Sequence, residues 1–93
     1  MQKIEIITQK FPLGRLVATP GAIEKITPEQ MLKSLLRHAK GDWGDLDEED
    51  IDTNERSVAC GMRILSSYND PVKHWIITEH DRSVTTVLLP DEY

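Results

Sequence analysis

The stretch that decides the fold is Met62-Arg63-Ile64-Leu65-Ser66-Ser67-Tyr68-Asn69-Asp70-Pro71-Val72-Lys73-His74-Trp75-Ile76-Ile77-Thr78-Glu79-His80-Asp81-Arg82-Ser83-Val84-Thr85-Thr86-Val87-Leu88-Leu89-Pro90. It alternates with a period of two, the signature of extended chain. Ile64, Ser66 and Tyr68 share one side. Trp75 and Ile77 share one face of the next run, and His74, Ile76 and Thr78 the other. Asn69-Asp70-Pro71 and His80-Asp81-Arg82 are turn sequences. Ser83 to Leu89 is rich in β-branched and aliphatic residues and stops at Pro90. Three strands on short loops predict an antiparallel meander.

Upstream of this stretch the period is helical. Thr27 is an N-cap candidate, Pro28 suits the first helical position, and Gln30 completes a capping box. Ile26 can pack on Met31 as a staple. Met31, Leu32, Leu35, Leu36 and Ala39 make one apolar stripe, which places His38 on the charged side. Gly41 is the expected left-handed stop. A second helix begins at Asp47, with Glu48, Glu49 and Asp50 in its first turn, where acids complement the dipole. Its body is weaker: Ile51, Val58, Ala59 and Met62 fit one face, and Asn54 and Glu55 interrupt it. Gly61 closes it. Nearer the N-terminus, Arg15 to Thr19 reads as a strand ended by Pro20-Gly21, and Ala22 to Lys25 as one helical turn. Residues 1–10 form an edge strand or an ordered tail. The expected fold is one α+β domain over 1–93, a small antiparallel sheet of three to five strands covered on one face by two helices.

The chain has 93 residues, 16 acids against 11 bases, a net charge of −5 and one cysteine. A direct grip on DNA or RNA needs clustered Lys and Arg, and is not expected. Cys60 alone cannot form an internal disulfide and fits a reducing cytoplasm. No apolar run is long enough to span a membrane, and the first residues are not a signal peptide.

The acids concentrate. Gly41-Asp42-Trp43-Gly44-Asp45-Leu46-Asp47-Glu48-Glu49-Asp50-Ile51-Asp52 holds seven acids in eleven positions from Asp42 on. A calcium loop counted from Asp45 has acids at Asp47 and Glu49. It lacks the central glycine and has Arg56 where a bidentate glutamate is required. Capping and a solvated acidic face explain most of the cluster, and mimicry of nucleic-acid phosphates is a further reading. Trp43 has two readings, an interface anchor or a residue that folds back to close one end of the core. The second is favoured, because large aromatics are usually mostly buried. The candidate partner-binding set is Asp42, Trp43, Asp45, Asp47 and Glu48.

A second candidate set could hold an anion or nucleotide phosphate: Arg15, Arg82, Ser83, Thr85 and Thr86, with Trp75 or Tyr68 stacking beside it. The alternative is a turn arginine with surface threonines. His38, His74, His80 and Cys60 have no zinc-ligand spacing. Glu79, His80, Asp81 and Ser83 are neighbours in a turn, which does not make a hydrogen-bonded relay. No nucleophile elbow, P-loop or dinucleotide fingerprint occurs, so no catalytic residue, metal or cofactor is assigned.

Three blocks resemble a family of small "plasmid-related" proteins of bacterial plasmids, phages and integrated elements. They are Phe11-Pro12-Leu13-Gly14-Arg15-Leu16-Val17-Ala18-Thr19-Pro20-Gly21-Ala22, then Gly41 to Asp50, then Ile77-Thr78-Glu79 with Arg82 to Tyr93. Together they cover nearly half the chain. The family has no assigned biochemical role and so gives no site residues. The resemblance implies a bacterial or phage setting and an accessory role for a mobile element. The leading expectation is a non-enzymatic cytoplasmic binding protein acting by protein–protein contact, an inhibitor of a host defence system. The alternative is a small-ligand binder, and a small hydrolase using His80 ranks last. A homodimer through an open sheet edge is left undecided.

Overall fold

The computed structural model describes residues 9–93. The edge-strand reading of residues 1–10 therefore lies almost wholly outside the described residues. In chain order the elements are β1 (Arg15–Ala18), α1 (Pro20–Lys25), α2 (Pro28–Ala39), α3 (Glu48–Cys60), β2 (Ile64–Tyr68), β3 (His74–Thr78) and β4 (Val84–Leu88). A single 3-10 turn, Pro90–Glu92, closes the chain.

The meander is as the alternation predicts: β2 pairs antiparallel with β3, and β3 antiparallel with β4. β1 then adds to β4 in parallel, so the sheet is mixed, in the order β1-β4-β3-β2. Parallel pairing follows from the path between β1 and β4. It runs through all three helices and leaves room for the crossover that parallel neighbours require.

The helix boundaries are set by local chemistry. Thr27 accepts from the Gln30 amide at 3.2 Å, and the Gln30 side chain accepts from the Thr27 amide at 2.9 Å. Asp47 accepts from the Asp50 amide at 2.9 Å, and Gly61 ends α3 in the left-handed region. These satisfy groups that a helix end otherwise leaves bare. Glu92 locks the C-terminus over the β1–α1 joint, accepting from Thr19 Oγ1 at 2.6 Å and from the Gly21 amide at 2.9 Å.

Side-chain burial departs from the helical stripe. Leu32 is 56% exposed and Leu36 43%, whereas Ser34, Leu35, His38 and Ala39 are buried. His38 is not on the charged side of α2; it is 0% exposed. In α3, Asn54 and Ser57 are buried, while Ala59 and Met62 are exposed. The reason is polar complementarity. The strand face beneath α2 carries Ser66, His74, Thr78 and Thr85, and each needs a partner inside.

The core has two parts. Ala22, Ile26, Leu35, Tyr68, Ile76 and Val87 pack between the helices and the sheet centre. Phe11, Trp43 and Ile64 form a second cluster, joined by Leu13, Leu46, Ile51 and Val58. This second cluster anchors α3 and the loop before it at the β2 edge.

Candidate functional site

The loop from Gly41 to Asp47 is held against β2 by main-chain bonds. The Ser67 amide donates to the Trp43 carbonyl at 3.1 Å, and the Asp45 amide donates to the Ser67 carbonyl at 2.7 Å. Tyr68 Oη donates to the Asp42 carbonyl at 2.6 Å. Gly44 bridges Ser67 with φ +75°; an added Cβ would collide with the Ser67 carbonyl oxygen. Only glycine allows this approach.

Trp43 points inward and is 3% exposed. Its ring stacks on Phe11 at 6.0 Å between centroids and meets His38 edge-on at 5.9 Å. Nε1 donates to Glu55 Oε2 at 2.8 Å. The core-closing reading of Trp43 is therefore the one the packing realises.

The carboxylates of the same segment turn outward. Asp42, Asp45, Asp47 and Glu48 are all exposed, as are Glu49, Asp50 and Asp52. Asp42 takes two bonds from Arg37, at 2.7 and 3.2 Å, and these hold its carboxyl below the usual carboxylate range. Asp45 accepts from the Asn69 side chain. Glu48, Glu49 and Asp52 have no cation within ion-pair distance among the described residues.

The anion-binding set does not converge. Thr85 is buried and faces the helices, donating to the Leu13 carbonyl at 2.6 Å. Thr86 lies on the opposite face, paired with Ile77, on the same side as Trp75. The Arg82 guanidinium is spent on the carbonyls of Met62, Ser57 and Glu79, at 2.6, 2.8 and 3.1 Å, and lies over the Phe11 ring. Ser83 Oγ donates to Asp81 Oδ1 at 2.6 Å. Arg15 is exposed on β1, away from these. Arg82 is thus a structural clamp that closes the C-terminal turn of α3.

Beside the acidic loop lies an open groove of about 440 Å³, between the start of α3 and the β2–β3 hairpin. Asp45 and Asp50 line it with Arg63, Lys73, Leu65 and Trp75. It brings together one residue from each candidate set, Asp45 and Trp75. Arg63 and Lys73 were not singled out from the sequence, because a charge flanking a strand has no spacing that marks it. Arg63 is already engaged by Glu79 at 3.4 Å and by Tyr93 Oη at 2.6 Å.

A set of polar side chains in the interior is bonded pairwise. Thr85 gives its proton to Leu13, so Thr78 donates to Thr85 at 2.7 Å. His38 Nε2 must then donate to Thr78 at 2.9 Å, and Nδ1 accepts from Ser66 Oγ. The series Ser66, His38, Thr78, Thr85, Leu13 carries one proton per link. A second series runs from Ser34 Oγ to His74 Nε2 at 2.8 Å, then from Nδ1 to the Val72 carbonyl at 2.7 Å. Among the described residues no buried side-chain donor or acceptor is left without a partner, and no group of three metal-ligating residues converges. No helix among them is long and apolar enough to cross a membrane.

No protein-family model, curated protein or solved structure matches the chain.

Proposed function

We propose that the protein is a non-enzymatic, cytoplasmic binding protein that acts by protein–protein contact. Its working surface is the outward side of the 42–52 segment, centred on Asp45, Asp47, Glu48, Glu49 and Asp52, and its partner presents a basic surface. One observation carries the reading: the acidic segment is fixed in place before any partner arrives. Main-chain bonds to Ser67 and the buried Trp43 hold the loop, and Asp47 fixes the start of α3. Ordering cost is thereby reduced in advance, and unpaired carboxylates of one sign steer a cationic partner. The resemblance to mobile-element proteins supports a bacterial host protein as the target, with inhibition of a host defence system as the role.

The test is capture of partners by the wild type and by Glu48→Lys/Glu49→Lys/Asp52→Lys, which spares the Asp47 cap and Trp43. Helical content is checked first by circular dichroism. The expected outcome is loss of the specific partner in the variant, and in the wild type at raised salt. Equal capture by both proteins would refute the assignment.

A small-ligand reading survives in altered form, because the groove places Trp75 beside Arg63 and Lys73 rather than beside Arg82. A nucleotide seated there would quench Trp75 fluorescence and raise the melting temperature. Neither effect should appear if the acidic surface alone is at work.

A further inference from the structure

The two edges of the sheet are finished differently. The free side of β2 is closed: Asn54 bonds both main-chain groups of Leu65, at 2.6 and 3.2 Å, and the Trp43–Asp45 loop bonds both groups of Ser67. The β1 edge has no such cover among the described residues. Arg15 and Thr19 donate their amides to the carbonyls of Ser83 and Val87, both at 3.0 Å. By alternation, Leu16 and Ala18 turn their N–H and C=O groups outward. Edge strands are normally blunted by proline, a bulge or covering structure. Among the described residues β1 has none of these.

Apolar side chains flank the same edge. Leu16 is 52% exposed and shares the helix-covered face with its register partner Thr85. Ser34 bonds His74 and His38 bonds Thr78, so α2 runs along β3. Arg37 leans toward β2, over the Tyr68 ring. Helical periodicity puts Leu32 on the flank away from Arg37, toward β4 and β1, with Leu36 next to it on the outer side of α2.

We propose that a second copy of this chain occupies the β1 edge, related by a two-fold axis through Val17, so that one sheet runs through both protomers. Leu16 of each copy pairs with Ala18 of the other, exchanging both main-chain bonds. The pairing is matched in length, because Gly14 at φ +65° precedes β1 and Pro20 opens α1 directly after it. The acid-rich segment does not oppose it. Each copy carries −5, but the acid-rich segment lies at the β2 edge, the far side of the sheet from the contact. A four-residue ladder alone falls short of the roughly 800 Å² per partner of a stable interface, so Leu16, Leu32 and Leu36 supply the apolar contact. The inference does not rest on the acidic-surface reading.

Sedimentation equilibrium on the full chain tests it, with Leu16→Pro and Leu36→Lys. Leu16→Pro deletes an outward donor and keeps the amides that bind β4, a position proline tolerates. The wild type is expected to be a dimer and both variants folded monomers. Leu36→Lys decides the matter should Leu16→Pro fail to fold, since Leu36 is 43% exposed and its replacement spares the core. A wild-type monomer at every concentration, or dimers in both variants, overturns the proposal. So does a monomer whose Leu16 and Ala18 amides resist hydrogen exchange, because another segment of the same chain then holds the edge. The triple charge reversal at Glu48, Glu49 and Asp52 should stay dimeric, which separates this failure from that of the partner site.

Discussion

Lowering the pH from 7 to 5 should cost this protein stability through the buried His38. The imidazole is sealed between α2 and the sheet and accepts a proton bond from Ser66 through Nδ1. Burial disfavours the imidazolium and lowers its pKa from 6.5 to about 3. In the unfolded chain the ring titrates near the ordinary value of about 6.5. Between these values the unfolded state holds a proton that the folded state does not. Stability therefore falls as pH drops below about 6.5, with a limiting slope of about 1.4 kcal/mol per pH unit. That amounts to about 2 kcal/mol by pH 5 and about 5 kcal/mol once the pH falls through the folded value. For a domain with roughly 5–15 kcal/mol in total, the loss is large.

The window isolates the histidine. Asp42, Asp81 and Glu92 also have lowered pKa values, from bonds with Arg37, Ser83 and Thr19 respectively. Their stabilisation is lost only as pH falls through the carboxylate range, below about 4.5. Urea unfolding at pH 7 and pH 5, followed by tryptophan fluorescence, measures the effect on wild type and His38→Gln. The variant should be less stable at pH 7, having lost the ring contacts to Phe11 and Trp43, and flatter between the two pH values. Equal losses in wild type and variant would refute the reasoning, as would a folded-state NMR titration of His38 near pH 6.5.

Two further outcomes follow from the packing. Arg82 holds three carbonyls from a φ of +61°, so Arg82→Ala and Arg82→Gly should both destabilise, and chemical denaturation should rank glycine above alanine by about 1 kcal/mol, because only glycine relieves the left-handed backbone. Trp43→Ala should cost about 3–5 kcal/mol in the same assay, the range for removing a buried aromatic, whereas an exposed interface tryptophan would leave stability nearly unchanged.

What the sequence made legible was local. Thr27 with Gln30, and Asp47 with its acidic first turn, act within a few residues of chain, so their spacing alone gives the helix starts. The strands of the meander were legible for the same reason. The buried face of α2 was not. Apolar periodicity selects Leu32 and Leu36, but His38 is drawn inward by Ser66 and Thr78, which lie 28 and 40 residues further along the chain. Asn54 was misread in the same way: it looks like a break in an apolar face and is the cap of the β2 edge. The anion-binding set failed because neighbours in a strand alternate between faces, which separates Thr85 from Thr86. The parallel pairing of β1 depends on strand order, and no local signal encodes that.

The same polar interior bears on the proposed working surface. A one-residue slip of β2 against β3 that put Leu65 in place of Ser66 beneath His38 would leave Nδ1 without a donor. That penalty applies in addition to the hydrophobic one, so the buried histidine fixes register as well as filling space. Register in turn decides that Ser67, not its neighbour, turns its amide and carbonyl to the free edge. Those two groups hold the Trp43–Asp45 loop, and through it the outward carboxylates of Asp42, Asp45 and Asp47. The acidic surface is thus positioned from the inside, by a hydrogen-bond series whose side chains are buried. Disturbing His38 should accordingly loosen the loop before it unfolds the domain. Hydrogen exchange at the Asp45 and Ser67 amides would report that loosening in His38→Gln, and unchanged protection there would break the link.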